Sequence, residues 1–326
     1  MSAVPASSVS PFRLEPRFVP RIWGFRDLRP WFDCVAEDEP IGEVWLTGDE
    51  CRVATGPHAG KRFADLFREA HARLLGEDAP ERESPLLIKM LFAREKLSVQ
   101  VHPDDALAQR GGQPRGKTEC WYALAAEAGA QVALGLKPGT TVAQVRQQIA
   151  DGTLESSLNA LSVAKGDMIF VDAGTVHAIW PGSILLETQQ NCDITYRMFD
   201  YGRPRELHVE KSLESTKLQT RAGKVAPRQL ADRTVLLASE YFRIERIPVG
   251  GSITSAALRR DDVQPKLMYL FAAAGAGRIG GAEFEAVDLP PRGIVAAPAT
   301  APEFILEDRG GLDLIRITPE WPEERA

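Results

Sequence analysis

The chain is written in short apolar, β-branched runs broken every few residues by Gly, Pro or Asp, which leaves room for many strands and few helices. The clearest runs are Leu86–Phe92, 120–124, 132–136, Met168–Val171 and 184–188, followed by a second series at 235–237, 242–247, 267–271 and 314–317. They predict an all-β protein, a sandwich or barrel. Three segments break the rhythm. Residues 62–75 carry Phe63, Leu66, Phe67, Ala70 and Leu74 at helical spacing, and 142–149 and 154–161 read as short helices, with Thr140 or Thr141 as N-cap. The polar stretch 215–232 reads as a linker. The expected division is therefore 1–222, a β-domain with short helical insertions, and 223–326, a second β-domain.

A length of 326 residues accommodates two such domains. The formal net charge of −6 supplies no basic field, so nucleic acid is not an expected partner. No apolar run approaches the about 18 residues that cross a bilayer, so no membrane partner is expected either. Residues 1–11, rich in Ser, Ala and Pro, have neither the basic start nor the apolar centre of a secretory signal and are expected to fray. Four cysteines without a CxxC pair read as free thiols in a reducing compartment, hence a cytoplasmic protein.

The chemistry-bearing residues sit in a few tight places. Gln100 and His102 lie two apart in the run Leu97-Ser98-Val99-Gln100-Val101-His102, so on a strand both project from one face. Glu119 follows in Lys117-Thr118-Glu119, and His177 closes Gly174-Thr175-Val176-His177. One amide oxygen, two imidazoles and one carboxylate suit a divalent ion of the zinc type that keeps a position open for water or substrate. His58, His71 and His208 have no such company, and no histidine follows His208, so a second site of this kind is not expected in the later β-series. Cys120 and Cys192 read as packing residues, and Glu187, in phase with Leu185, is assigned no chemistry.

Residues 166–177 resemble the second cupin motif, a glycine turn, a strand and a glycine bend before a metal-binding histidine. Here Asp172 replaces the usual Pro, and Pro181 stands where Asn is frequent. Gln100-x-His102 with Glu119 resembles the first motif. Taken in order, Ile22-Trp23-Gly24, Ile41-Gly42-Glu43-Val44-Trp45, Ile88-Lys89-Met90-Leu91-Phe92, the run from Leu97 to Asp104, residues 116–121 and the run from Gln189 to Tyr201 resemble the class I mannose-6-phosphate isomerases. That resemblance implies two cupin (jelly-roll β-barrel) domains, the second degenerate. It implies one Zn2+ per chain on Gln100, His102, Glu119 and His177. The implied reaction interconverts mannose 6-phosphate and fructose 6-phosphate through a cis-enediol, with a phosphorylated hexose as partner. Arg197, Lys117, Lys89 and Asp193 are implied around the sugar. Several roles stay open at this point. The base is a metal-bound water, Lys117 or Asp193. Asp193 otherwise caps a turn. Ser98 faces the phosphate or only occupies a strand, and Lys89 contacts substrate or snorkels at the surface. A cupin iron dioxygenase and a non-catalytic sugar-binding cupin are the rival functions.

Overall fold

In the computed structural model, which describes residues 8–321, strand Phe12–Arg13 pairs antiparallel with Ile294–Ala297, Phe12 standing opposite Ala296. The chain consequently divides into two compact units, neither continuous in sequence. A terminal unit comprises residues up to Arg17, Leu46–Leu86 and everything from Ala226. A middle unit comprises Phe18–Trp45 and Leu87–Val225. The expected cut at 222/223 falls close to the last of these junctions, but 12–17 and 46–86 belong with the C-terminal residues. Burial explains part of this. The helix Phe63–Leu75 hides Phe63, Leu66, Phe67, Ala70 and Leu74, and Phe63 meets Phe12 and Tyr269 edge-on, with ring centroids 6.0 and 6.5 Å apart.

Among the described residues the protein is mostly β with a few short helices, and no helix is long and apolar enough to cross a membrane. The terminal unit has a seven-stranded and a four-stranded sheet. Its apolar core runs through Met268, Leu270, Ile279, Leu289, Leu306 and Leu314. The middle unit has a seven-stranded sheet, ordered Gly223–Lys224, Met168–Val171, Glu119–Ala126, Ser183–Gln190, Leu86–Phe92, Ile41–Trp45, Arg17–Phe25. Its second sheet is five-stranded, ordered Tyr196–Phe199, Val99–Val101, His177–Ile179, Gln131–Leu136, Leu158–Ser162. Each of the four sheets is open at both ends of its order, so none closes on itself as a barrel.

Alternation along the five-stranded sheet sorts its two faces. Val99, Val101, Ala133 and Ala178 pack with Val145, Ile149 and Leu213 from the helices Val142–Asp151 and Val209–Ser215. Val132, Leu134 and Ile179 instead share a core with Leu91, Trp121, Ala123 and Leu185 of the seven-stranded sheet. Gln100 and His177 fall in the phase of this second, inner face.

The helix predicted at 142–149 forms as Val142–Asp151. Thr141 caps it, its side chain accepting from the Gln144 amide while the Gln144 side chain accepts from the Thr141 amide. The helix predicted at 154–161 does not form. A single 3-10 turn, Leu154–Ser157, leads into strand Leu158–Ser162, where Leu158 pairs with Leu136 and the Asn159 side chain donates to the Leu136 carbonyl. Strand pairing outweighs a marginal helix there. Of the stretch expected to fray, 1–7 lie outside the described residues. Val9 is buried and its amide donates to Thr300 Oγ1.

Candidate active site

Two glycines bring the site residues together. Gly116 passes so close to the backbone of Pro103 and Asp104 that a Cβ would lie 2.5 Å from the Asp104 carbonyl carbon, and Lys117 then donates its amide to the Pro103 carbonyl. This sets Lys117 and Glu119 beside His102. Gly174 adopts φ of 93°, where only glycine is unstrained, and donates its amide to the His102 carbonyl. Asp172, where the motif usually has Pro, closes the same turn by accepting from Thr175 Oγ1 at 2.9 Å. His177 thus emerges opposite Gln100 on the neighbouring strand.

The structure gathers His102, Glu119 and His177 with their donor atoms within 4.8 Å of one another, all buried. His102 Nδ1 donates to the Ile194 carbonyl at 2.7 Å and His177 Nδ1 to the Thr175 carbonyl at 2.9 Å, because a carbonyl can only accept. Both Nε2 lone pairs are therefore turned toward Glu119, 3.5 Å from its Oε2 and 3.4 Å from its Oε1. Burial pushes both imidazoles down, His177 to about 4 and His102 well below its usual value, so both are neutral near pH 7. Glu119 Oε2 is buried without a hydrogen bond; the Lys117 ammonium lies 3.1 Å away as an ion pair, not aligned to donate. Lys117 Nζ donates to His102 Nε2 at 3.3 Å, so two neutral imidazole nitrogens converge with a buried carboxylate oxygen that has no hydrogen bond, the donor set a zinc-type ion takes. Gln100 stands beside them, its amide nitrogen 3.2 Å from His177 Nε2 and its oxygen accepting from Ser98 Oγ at 3.2 Å.

The other expected residues converge on the same place. Ser98, Lys89, Lys117, Asp193 and Arg197 all line one cavity of about 460 Å³ together with Gln100. Arg197 sits across from Gln100 on the edge strand; its Nη1 donates to the Glu206 carbonyl and its Nε is buried without a partner. Burial, then nearby Arg205, lowers its proton affinity. Asp193 is exposed at the cavity and Ser98 is buried. Lys89, at 3% exposure, is no snorkelling surface lysine. Cys120 and Cys192 are buried free thiols pushed up by burial, as packing residues would be. His208 accepts the Arg197 amide at its Nδ1 and is no part of the cluster.

Two carboxylates were missed. Glu187 and Glu43 line the cavity, and each is at most 7% exposed. Lys89 Nζ lies 3.1 Å from Glu187 and 3.7 Å from Glu43, and Lys117 Nζ lies 3.9 Å from Glu187. Burial, reinforced by Glu119, raises the Glu187 carboxyl against the pull of Lys89 and Lys117. Burial alone would lower Lys89, but Glu187, Glu43 and Asp193 outweigh it and keep the ammonium charged. The available signal was a charged residue inside an otherwise apolar strand, as in Leu-Leu-Ile-Lys89-Met-Leu-Phe and Ile-Leu-Leu-Glu187.

Residues 12–144 match the family model of the phosphomannose isomerase type I catalytic domain. A mannose-6-phosphate isomerase of Streptococcus mutans is 34% identical over 285 residues, 82% of this chain and 86% of that relative. The crystal structure of the mannose 6-phosphate isomerase from Bacillus subtilis superposes with a TM-score of 0.83 at 29% identity, covering 95% of this chain and 99% of that one. A zinc-bound mannose 6-phosphate isomerase structure shares the fold with a TM-score of 0.77 at 16% identity, covering 96% and 100% of the two chains. With one third of its residues shared across most of both sequences, the chain belongs to the mannose-6-phosphate isomerase family.

Proposed function

We propose that the protein interconverts mannose 6-phosphate and fructose 6-phosphate through a cis-enediol, with one zinc ion per chain. The observation that carries this reading is the pair of neutral imidazole Nε2 atoms converging with Glu119 beside a cavity lined by Lys89, Lys117, Arg197 and Arg205. His102, Glu119 and His177 would hold the ion, with Gln100 as fourth ligand through its amide oxygen. When bound, such an ion supplies Lewis-acid polarisation of a sugar oxygen.

The remaining work falls to the protein. The carbon proton must leave C2 of the aldose and return to C1, while the oxygens exchange a second proton. Glu187, with its raised proton affinity and buried oxygen facing two lysines, is assigned the carbon proton. Lys117 moves the proton between the oxygens, and Arg197 stabilises the negative charge that develops there. Asp193 orients a sugar hydroxyl at the cavity mouth. Ser98 serves the phosphorylated end of the substrate. Lys89 acts on substrate through Glu187, its ammonium being committed to two carboxylates. The fold reading that accompanies this function is a pair of cupin-type β-domains, catalytic and degenerate, in a cytoplasmic enzyme with no nucleic-acid or membrane partner.

The test is turnover of mannose 6-phosphate by purified, zinc-loaded protein, followed by oxygen uptake under the same conditions. Isomerisation without oxygen consumption is expected. No isomerisation, or oxygen uptake in its place, overturns the reading.

A further inference from the structure

A row of alternating charges crosses the inner face of the seven-stranded sheet of the middle unit, starting at Lys117, whose ammonium also lies 3.1 Å from Glu119. From Lys117 it runs to Glu187, Lys89, Glu43 and Arg21, with separations of 3.9, 3.1, 3.7 and 2.9 Å. Lys117 lies just ahead of strand Glu119–Ala126, and the other four come from the strands that follow it in the sheet, Ser183–Gln190, Leu86–Phe92, Ile41–Trp45 and Arg17–Phe25. We propose that Glu43 is a positioning residue, holding the Lys89 ammonium between two carboxylates and so fixing how Glu187 faces the cavity. This rests on the reading of Glu187 as the carrier of the carbon proton.

Glu43 is built to be immobile. Arg21 grips it through Nε and Nη2 at 2.9 and 3.2 Å, and Trp45 Nε1 donates to it at 2.7 Å. The register sets Trp45 opposite Lys89 and Glu43 opposite Leu91. Lys89 hangs on four flexible methylenes and has no such clamp. With Glu43 charged, its ammonium is pulled from both sides. With Glu43 neutral, only Glu187 is left to pair with it, and the ammonium settles on the oxygen that must accept the carbon proton.

The charged and titratable groups that act on Glu187 are Lys89, Lys117, Glu119, Glu43 and His177, with Arg21 paired to Glu43 and Asp193 acting on Lys89. Removing the Glu43 charge leaves the cations in excess and favours the Glu187 carboxylate. The experiment compares zinc-loaded wild type with Glu43→Gln, which keeps the volume and an acceptor for Trp45. It measures kcat and KM for mannose 6-phosphate and the titration of the Glu187 carboxyl carbon by NMR, assigned with Glu187→Gln. The expected results are a kcat lower by about tenfold with KM changed less than about twofold. The Glu187 midpoint and the acid limb of kcat both move to lower pH, by about half a pH unit or more.

A raised KM with an unmoved midpoint would mean direct substrate contact, and lost thermal stability with an unmoved midpoint would mean a purely structural role. Either overturns the proposal. Should Glu43→Gln not fold, Arg21→Gln, at a side chain 30% exposed, gives the opposite sign. Freed from Arg21, Glu43 draws Lys89 toward itself and the Glu187 midpoint rises; an unmoved or lowered midpoint overturns the proposal. The NMR arm needs no turnover. A shifted midpoint in a protein without isomerase activity would refute the isomerase reading while leaving the hold of Glu43 on Glu187 intact.

Discussion

Gln100 and His177 face each other across antiparallel strands with the Gln100 amide nitrogen 3.2 Å from His177 Nε2. An amide presents nitrogen and oxygen at nearly the same place, so turning Gln100 about its last bond brings its oxygen to the position of a ligand. Ser98, whose hydroxyl now donates to Gln100 Oε1, would then accept from the amide nitrogen. Ser98 can therefore satisfy Gln100 in both orientations.

Metal dependence follows from the donor set. Chelation is expected to abolish isomerisation and zinc to restore it. His177→Ala or His102→Ala should weaken metal binding by more than about a hundredfold, whereas Gln100→Ala, which leaves three donors, should cost about 10- to 100-fold. Metal content by elemental analysis, measured beside turnover, checks this. Full activity in a metal-free sample would sink the mechanism.

Arg197→Ala should lower kcat by about a hundredfold, roughly 2.7 kcal/mol, with metal content intact, the usual cost of losing a preorganised charge-stabilising donor. Unchanged kcat with a raised KM would reassign Arg197 to ground-state binding of the phosphate.

The clustered metal-type donors were legible because they lie in short ordered motifs whose spacing also dictates which face of a strand they share. Arg197, Lys117 and Asp193 were legible only through family resemblance, since nothing local to them marks a cavity. Glu187 was left without a role for a physical reason. Its phase with Leu185 correctly placed it inward, but the partners that make an inward carboxylate tolerable, Lys89 and Lys117, come from other strands. The discontinuous units were illegible for a similar reason. Phe12 meets Ala296 across almost the whole chain, and no local pattern encodes so distant a pairing. At Leu154 the local pattern was helical, and pairing of Leu158 with Leu136 overrode it.

Acid stability should depend on Glu43. Burial would raise its carboxyl, but Lys89, Arg21 and Trp45 outweigh burial and hold it at about 2 instead of 4.5. A carboxylate depressed in the folded state adds stability that is present above 4.5 and lost as pH falls toward 2. The gap corresponds to roughly 3 kcal/mol. Urea unfolding should show wild type more stable than Glu43→Gln near neutral pH, with the difference shrinking steadily below 4.5. A difference independent of pH would contradict the ion-pair origin.

Thr141→Ala removes one half of a reciprocal cap on the helix Val142–Asp151, away from the cavity. It should cost about 1 kcal/mol in chemical denaturation. Isomerase kinetics should not change. A neutral effect on stability would mean that water replaces the Thr141 hydroxyl at the Gln144 amide without loss.

The terminal unit is expected to be structural and free of metal. Among the described residues the only grouping of three or more metal-type donors is His102, Glu119 and His177, and the sequence holds no histidine after His208 and no cysteine after Cys192. A zinc site built from carboxylates alone would be unusual, so elemental analysis should find one transition-metal ion per chain. The same unit cannot be dispensed with. Removing residues 220–326 takes away Ile294–Ala297, the partner of Phe12–Arg13, and uncovers Phe63 where it meets Tyr269. Phe12, Phe63, Leu66 and Phe67 are buried, and exposing each forfeits about 1.5–3 kcal/mol, in sum comparable with a domain's usual margin. A fragment ending near Gln219 should therefore be insoluble or unfolded although it carries every metal-type ligand. A stable, active fragment of that length, or a second ion bound by residues beyond Thr234, would show that the terminal unit has been misread.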